Sequence, residues 1–470
     1  QTGPGVQFEY YEDYMGTSLP NFNSLTPALS GVKETIMSPQ IEQAEHYGLK
    51  YTGYIDIPSE GAYNFYLDSD DGSQLFIDDQ MVVDNDGSHA SILKSGYIGL
   101  KAGLHEIIVK YFQNTGTKNL TVYWRKYDGG ALASISSDML KQERLASEAT
   151  GTVISNLTWR EYPGDFTGSQ LPNLDDHTAQ SVGFQNSVNL PSGLSSNYAI
   201  QYEGYINVPS NNDYTFYTAS KGRSRIFIDG LLVAYNNNDS NTLVEASGIL
   251  GLRSGQHSIR VEYFNTSNVS TQQLDVYWES GSIAKQEIPG ANLSGLGSVT
   301  MARAIYNLPS LGEVLIEDQG DDLYAIMRSS NKKVYNQDSN VTDFNMDDYS
   351  QQWLIRGVPG NYQITNVLSR NSLLGNNSWT INYSNEAPEI MAGYNTLIPN
   401  DLPNKKVISN NLLGNNYLKE SNFSNIGSDS DLWNLEYLGC LQYRMATQAT
   451  INNNNPRYFA QQNTSNTIWQ

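Results

Sequence analysis

The chain has 470 residues, of which 39% are hydrophobic and 11% aromatic, so it has material for packed cores and is too long for one ordinary domain. Its formal net charge of −21 repels phosphate backbones and anionic membranes, which sets nucleic-acid and lipid-surface binding aside. One cysteine, Cys440, excludes an intramolecular disulfide framework, and no run reaches the roughly 20 apolar residues that span a bilayer.

Charged residues make up only 16% of the chain, below the usual share of about 25%. Amides, hydroxyls and 32 tyrosines carry the polarity instead. Such a surface suits hydrogen-bonding partners such as sugars, and equally any exported β-protein. The chain opens on Gln1 rather than Met, which fits an exported protein whose signal peptide has been removed, or a trimmed chain.

In chain order, the first strong pattern is "GYIDIPSEGAYNFY" at Gly53–Tyr66, which recurs as "GYINVPSNNDYTFY" at Gly204–Tyr217. "LFIDDQMVV" recurs as "IFIDGLLVA", "GLKAGLHEIIVKYF" as "GLRSGQHSIRVEYF", and "LTVYW" as "LDVYW". These are two tandem copies of one domain. Large aromatic residues alternate with small or polar ones, and turns such as "PSEG", "KAG" and "RSG" punctuate them, so each copy is predicted to be a β-sandwich. Copy one is placed at residues 1–147 and copy two at 148–283. The Gly/Ser-rich stretch "GSIAKQEIPGANLSGLGSVTMARA" breaks the strand pattern, and 284–304 is read as a linker. Residues 305–470 are rich in Asn, Ser and Tyr. They carry a residue-x-Trp element three times: Gln351-Gln352-Trp353, Asp431-Leu432-Trp433 and Thr467-Ile468-Trp469. A threefold unit of this kind suggests a β-trefoil.

The stretch "FYLDSDDGSQLFIDD" gathers Asp68, Asp70, Asp71, Asp78 and Asp79. Like charges this close are costly unless something answers them. The bland reading is a tight hairpin in which Asp68 and Asp71 accept backbone N–H groups. An EF-hand reading fails, because Gly72 falls fifth rather than sixth from Asp68. Copy two replaces Asp70 and Asp71 by Lys221 and Gly222, with Arg223 and Arg225 beside them, so it is not expected to hold a cation there. Asp229 keeps the place of Asp78, which marks that aspartate as structural. "VVDNDGSHA" places Asp84, Asn85 and Asp86 in a second polar loop that lines the same site or forms an Asx turn.

No catalytic constellation is evident. His105 and His257 share one repeat position and read as structural, while His46, His89 and His177 are isolated. No H-E-x-x-H, G-x-S-x-G or Walker pattern occurs. Adjacent carboxylates cannot flank a scissile glycosidic bond.

The run "GYIDIP…G.Y.FYLDSDDGS.LFID" with its downstream "GYIGLKAGLHEIIVKYF…L.VYW" resembles PA14 domains, closely in copy one and through the strand skeleton in copy two. The resemblance implies that the adjacent pair Asp70 and Asp71, joined by a cis peptide, chelates Ca²⁺. It implies that the late loop "FQNTGTKNL" contributes through Gln113, Asn114 and Gly116, and that sugar hydroxyls complete the shell. The loop departs from the adhesin pattern. Residues 351–375 resemble ricin-type β-trefoil lectins, whose usual Asp is replaced here by Leu374-Gly375. Trp379, with Asn376 and Tyr383, is left as the stacking candidate there.

The expectation is therefore an all-β protein, two PA14-like sandwiches and a C-terminal β-trefoil. The metal ligands are Asp70, Asp71 and Asn114, with Gln113, Gly116, Asp84, Asp86 and Trp379 in ligand binding. The cofactor is Ca²⁺, the partners are glycans or glycoproteins, no bond is made or broken, and the setting is extracellular or at the cell surface. The alternatives are a structural surface or fibre subunit, homo-oligomeric through these domains, and the accessory part of a larger secreted glycoside hydrolase.

Overall fold

The computed structural model describes residues 1–386 apart from 38–44, 128–129, 149–152, 155, 169–170, 297–303, 321–322, 329–332, 344, 346–347 and 359–360; beyond 386 it describes the backbone of three strand pairs. Among the described residues every regular element is a strand or a short 3₁₀ turn. No described helix is long and apolar enough to cross a membrane. The chain divides into two compact units, Gln1–Leu296 and Gly297–Gln470.

Strand formation follows the period of two. In Gly61–Asp70, Tyr63, Phe65 and Leu67 are fully buried while Tyr66 and Asp68 remain half exposed. In copy two Tyr214 and Phe216 take the corresponding buried places. Each copy also stacks a tyrosine on a tryptophan across neighbouring strands, Tyr63 on Trp124 at 5.5 Å and Tyr214 on Trp278 at 5.7 Å. Burying one such side chain contributes about 1.5–3 kcal/mol.

Each copy is a sandwich. In copy one, one sheet runs Leu29–Lys33, Val6–Tyr11, Tyr47–Ile57, Gly103–Gln113, Ser73–Ile77, Gln80–Asn85, and the other Ala133–Ser134, Asn119–Lys126, Gly61–Asp70, Ile92–Leu100. Copy two repeats the order with Tyr198–Val208, Gly255–Asn265, Arg223–Ile228, Leu231–Asn236 facing Val244–Leu252, Asn212–Lys221, Gln273–Ser280, Ile283–Glu287. The copies are not beads on a string. Leu232 pairs in parallel with Gly31, so one sheet continues from one copy into the other. The copy-one core includes Phe227 and Leu232, and the copy-two core includes Val32. A Cβ at Gly31 would lie 2.6 Å from both the Leu232 carbonyl oxygen and the Phe8 ring, so only glycine fits this junction.

The stretch read as a linker is part of copy two. Ile283–Glu287 pairs with Gln273–Ser280, and Leu293–Leu296 pairs with Val153–Ile154 and Tyr198–Val208. Strands are held by backbone bonds, so a Gly/Ser-rich sequence can supply short ones without the alternation that flags a strand. The boundary near 147 is also tied down, since Leu145 and Glu148 bridge to Leu252 and Gln256.

In the second unit antiparallel strands, among them Ala304–Leu308, Gly312–Gly320, Leu323–Arg328, Trp353–Val358 and Asn361–Asn366, surround a core of Tyr324, Ile326, Trp353, Ile355 and Ile364. Trp353 is fully buried and its indole N–H donates to the Tyr335 carbonyl at 2.9 Å. Asp431, Leu432, Cys440 and Thr467 lie outside the described residues, as does most of the third repeat. The trefoil therefore stays an expectation.

Candidate functional site

The acidic pair sits where the strand Gly61–Asp70 turns into Ser73–Ile77. The Asp70–Asp71 peptide is cis, as the PA14 resemblance implies. Both residues are nearly buried, at 6% and 5% exposure, so their charges are answered by local groups rather than by bulk water. Asp71 accepts the backbone N–H of His89 on Oδ1 at 3.2 Å and that of Asn114 on Oδ2 at 2.8 Å. Asp70 Oδ2 accepts the Thr117 hydroxyl at 2.7 Å. The Tyr111 hydroxyl reaches the Asp70 carbonyl at 2.6 Å and Gln113 Oε1 at 2.7 Å.

Three loops meet on the pair. The late loop supplies Asn114 and Thr117, and Gly116 donates its N–H to Glu45 at 2.9 Å. The Asn114 carbonyl accepts from His46, whose φ is 65°, so the segment before Tyr47–Ile57 is fastened here too. The "DNDGSHA" loop forms the third side. Asp86 Oδ1 accepts from Gly87 at 2.8 Å and Leu19 at 2.7 Å, and Asp84 Oδ1 accepts from Gln74 at 3.1 Å and Asp86 at 3.3 Å. Gly72 lets the loops close, since a Cβ there would fall 2.7 Å from the Gly87 nitrogen and 2.6 Å from the Phe112 ring.

The expected residues thus divide. Asp70, Asp71, Asn114, Gln113 and Gly116 share one site. Gln113 is fully buried and braces the late loop by donating to the Thr117 carbonyl at 3.2 Å. Asp84 and Asp86 shape the neighbouring loop. Trp379 belongs to the second unit, where it is 2% exposed in the core and exchanges backbone bonds with Tyr362, so it presents no stacking face.

Beneath the pair lies a polar network, of which the sequence singles out only Asn85. Ser69 and Ser73 hydroxyls meet at 2.7 Å, and Asn85 donates to Ser69 Oγ at 3.0 Å and to the Ile92 carbonyl at 2.9 Å. Copy two has the same arrangement in Ser220, Ser224 and Asn236. Matching Ser, Ser and Asn in the two copies is the signal that could have found it.

Above this common base the copies diverge. In copy two Lys221 donates to Thr271 at 2.8 Å, and Gly222 adopts a φ of 86°. Arg223, 7% exposed, donates to the Gly168 carbonyl and lies 3.4 Å from Asp239. Asp239 also accepts from Thr266 at 2.5 Å and Asn268 at 2.9 Å. A tethered cation here takes up the oxygen ligands of the loop.

Asp78 and Asp229 serve elsewhere. Each caps a hairpin with φ near 45–48° and holds a histidine: Asp78 to His105 Nδ1 at 2.6 Å, Asp229 to His257 Nδ1 at 2.7 Å. Nε2 of His257 donates to the Arg253 carbonyl at 2.7 Å, so both ring nitrogens face acceptors. Burial opposes the charge on His257, but the bonds to Asp229 and to Arg253 outweigh it and raise its pKa above the ordinary histidine value.

The donors that Asp70 and Asp71 offer are carboxylate oxygens, and the adjoining loop carries the Asn114 amide. That chemistry suits a hard cation such as Ca²⁺, which takes six to eight oxygens. Among the described residues no cluster of three or more His, Cys, Asp or Glu side chains is placed to hold a metal ion, so further ligands would be carbonyls, water or a bound hydroxylated molecule.

Comparison with known proteins bears on this. The chain is 25% identical over 298 residues to the anti-sigma-I factor RsgI3 of Acetivibrio thermocellus, a match that covers 62% of this chain and 45% of that protein. The chain thus spans less than half of that relative. Among solved structures it is similar to an anti-sigma factor domain-containing protein from Clostridium clariflavum, with 20% identity, TM-score 0.26, and 63% of this chain and all of that one covered. It is also similar to a PA14 sugar-binding domain from an RTX adhesin, with 18% identity, TM-score 0.27, 30% of this chain and 98% of that one. The PA14 domain matches residues 4–138 and 155–291, one match for each copy. The chain belongs to the PA14 domain family, which it carries twice in tandem.

Proposed function

We propose that this is a non-catalytic, extracellular carbohydrate-binding protein whose first PA14 copy reads a glycan through Ca²⁺. Asp70, Asp71 and Asn114 hold the ion, and vicinal hydroxyls of the sugar complete its shell. Gln113, Thr117 and Gly116 fix the late loop that borders the sugar. The ion supplies a fixed positive centre that orients a pair of hydroxyls. The observation that carries this reading is the nearly buried carboxylate pair at the meeting of three loops in copy one, where copy two has Lys221 and Gly222 with the tethered Arg223 beside them. The test is a glycan array probed with the full chain in Ca²⁺ and in chelator. Binding in Ca²⁺ that Asp70→Ala abolishes supports it; Ca²⁺-dependent binding that survives Asp70→Ala and Asp71→Ala contradicts it.

A second reading comes from the anti-sigma-I relative. The alignment of 298 residues is too long to rest on one copy. The tandem unit would then be the ligand-reading part of an anti-sigma factor. Capture of a sigma factor by the complete natural protein tests this, and failure of a purified sigma factor to bind it argues against it.

A further inference from the structure

We propose that the cleft between the two copies is a second, metal-independent site for a neutral oligosaccharide. The cleft has a volume of about 720 Å³, within the range of small-ligand sites. Its floor is Phe227 of copy two. One wall comes from copy one, through Glu12 and the segment 27–30, and the opposite wall is the 171–176 segment of copy two. None of its residues belongs to the acidic pair or its loops.

The floor is rigidly built. Arg225, 8% exposed, donates through Nε to the fully buried Glu262 and through Nη2 to the Pro172 carbonyl at 2.7 Å, which ties the far wall to the sheet. Gln201 also donates to Glu262, at 2.8 Å. Arg260 lies 4.2 Å over the Phe227 ring, and its Nη1 is 3.4 Å from Asp175. Copy one has Gln74, Ile108 and Lys110 at the places of Arg225, Arg260 and Glu262, so this array is particular to copy two. Groups held in place before a ligand arrives cost little ordering on binding.

The charges select the ligand. Both guanidinium groups are already answered, by Glu262 and Asp175. Glu12 and Asp176 then leave the lining acidic, which disfavours an anion. The two arginines disfavour a cation, and the charged lining disfavours an apolar ligand. A polyhydroxylated neutral molecule meets all three conditions. Carboxylates accept its hydroxyls, guanidinium N–H groups donate to its oxygens, and the ring of Tyr235 flanks the floor.

The test is calorimetry on the full chain in chelator, with neutral hexose and pentose oligosaccharides of several lengths as probes and uronic-acid oligosaccharides as charged controls. A neutral probe is expected to bind. Loss of Glu12 and Asp176 together, through Glu12→Ala and Asp176→Ala, is expected to weaken binding by about tenfold or more. Ala28→Trp, at an exposed lining position, should block it, with the melting temperature confirming the fold. Asp70→Ala should leave it unchanged, which separates this site from the calcium site. The proposal is overturned if no neutral probe binds in chelator, if the Glu12 and Asp176 variant binds as well as the parent, or if the uronic-acid probes bind more tightly.

Discussion

Two loops occupy the same place in the same fold, one on each copy, and they carry opposite charge. In copy one, Asp70 and Asp71 gather backbone N–H groups and a hydroxyl. In copy two, Arg223 gathers a backbone carbonyl and a carboxylate. The base beneath, Ser-Ser-Asn, is the same in both. The fold specifies the base and leaves the charge above it open, provided each buried group finds a partner. The shared base serves the fold, and the groups above it are free to serve different functions.

The largest effect is expected in the buried charges that copy two has and copy one lacks. Arg225→Leu takes from the buried Glu262 its nearer guanidinium, leaving it Arg260 Nε at 3.4 Å and the Gln201 amide, and should cost about 3 kcal/mol or more in denaturant unfolding. Gln74→Leu, the matching change in copy one, should cost far less, because Gln74 bonds only the exposed edge of Asp84. Equal losses would contradict this difference between the copies.

Next come the histidine pins that the copies share. His257 is fully buried with a raised pKa, so its contribution is complete below the unfolded value of about 6.5 and fades as pH rises through the folded value. Asp229→Asn should cost about 1.5–3 kcal/mol below pH 6.5 and flatten the loss of stability above it. The same change at Asp78 should do less, since the Asp78–His105 pair is more exposed. Unfolding followed from pH 5 to pH 9 checks both.

A smaller effect is expected in the common base. Asn85→Ala and Asn236→Ala each remove a buried amide that bonds a serine hydroxyl and a strand carbonyl. Each should cost about 1–3 kcal/mol, with the larger loss at Asn236, which also donates to the Gly222 carbonyl and accepts the Asn238 N–H. A larger loss at Asn85 in denaturant unfolding would contradict this.

Much of this was legible in the sequence. The period of two exposed the strands, and the repeat exposed Asp70-Asp71 as the point where the copies part. Gln113 was read as a ligand-binding residue of the late loop, and only the fold shows that it is buried and braces that loop. Thr117, Tyr111 and Glu45 were missed, because which loops converge is set by strand pairing over long sequence separations. The cleft was invisible for the same reason: nothing local connects Glu12 with Asp176 or Arg225. The supposed linker hid two short strands whose backbone bonds leave little trace in side-chain pattern. Trp379 looked like a sugar platform because an aromatic residue among polar ones reads alike whether it faces solvent or core.

In the proposed function copy one holds calcium through its paired carboxylates and copy two does not. Thermal unfolding of the full chain with and without Ca²⁺ tests it most directly, beside the Asp70→Ala, Asp71→Ala and Arg223→Ala variants. Calcium is expected to raise the melting temperature of the parent and of Arg223→Ala and to leave both aspartate variants unmoved. A parent that calcium does not stabilise, or aspartate variants that it stabilises equally, would contradict the account.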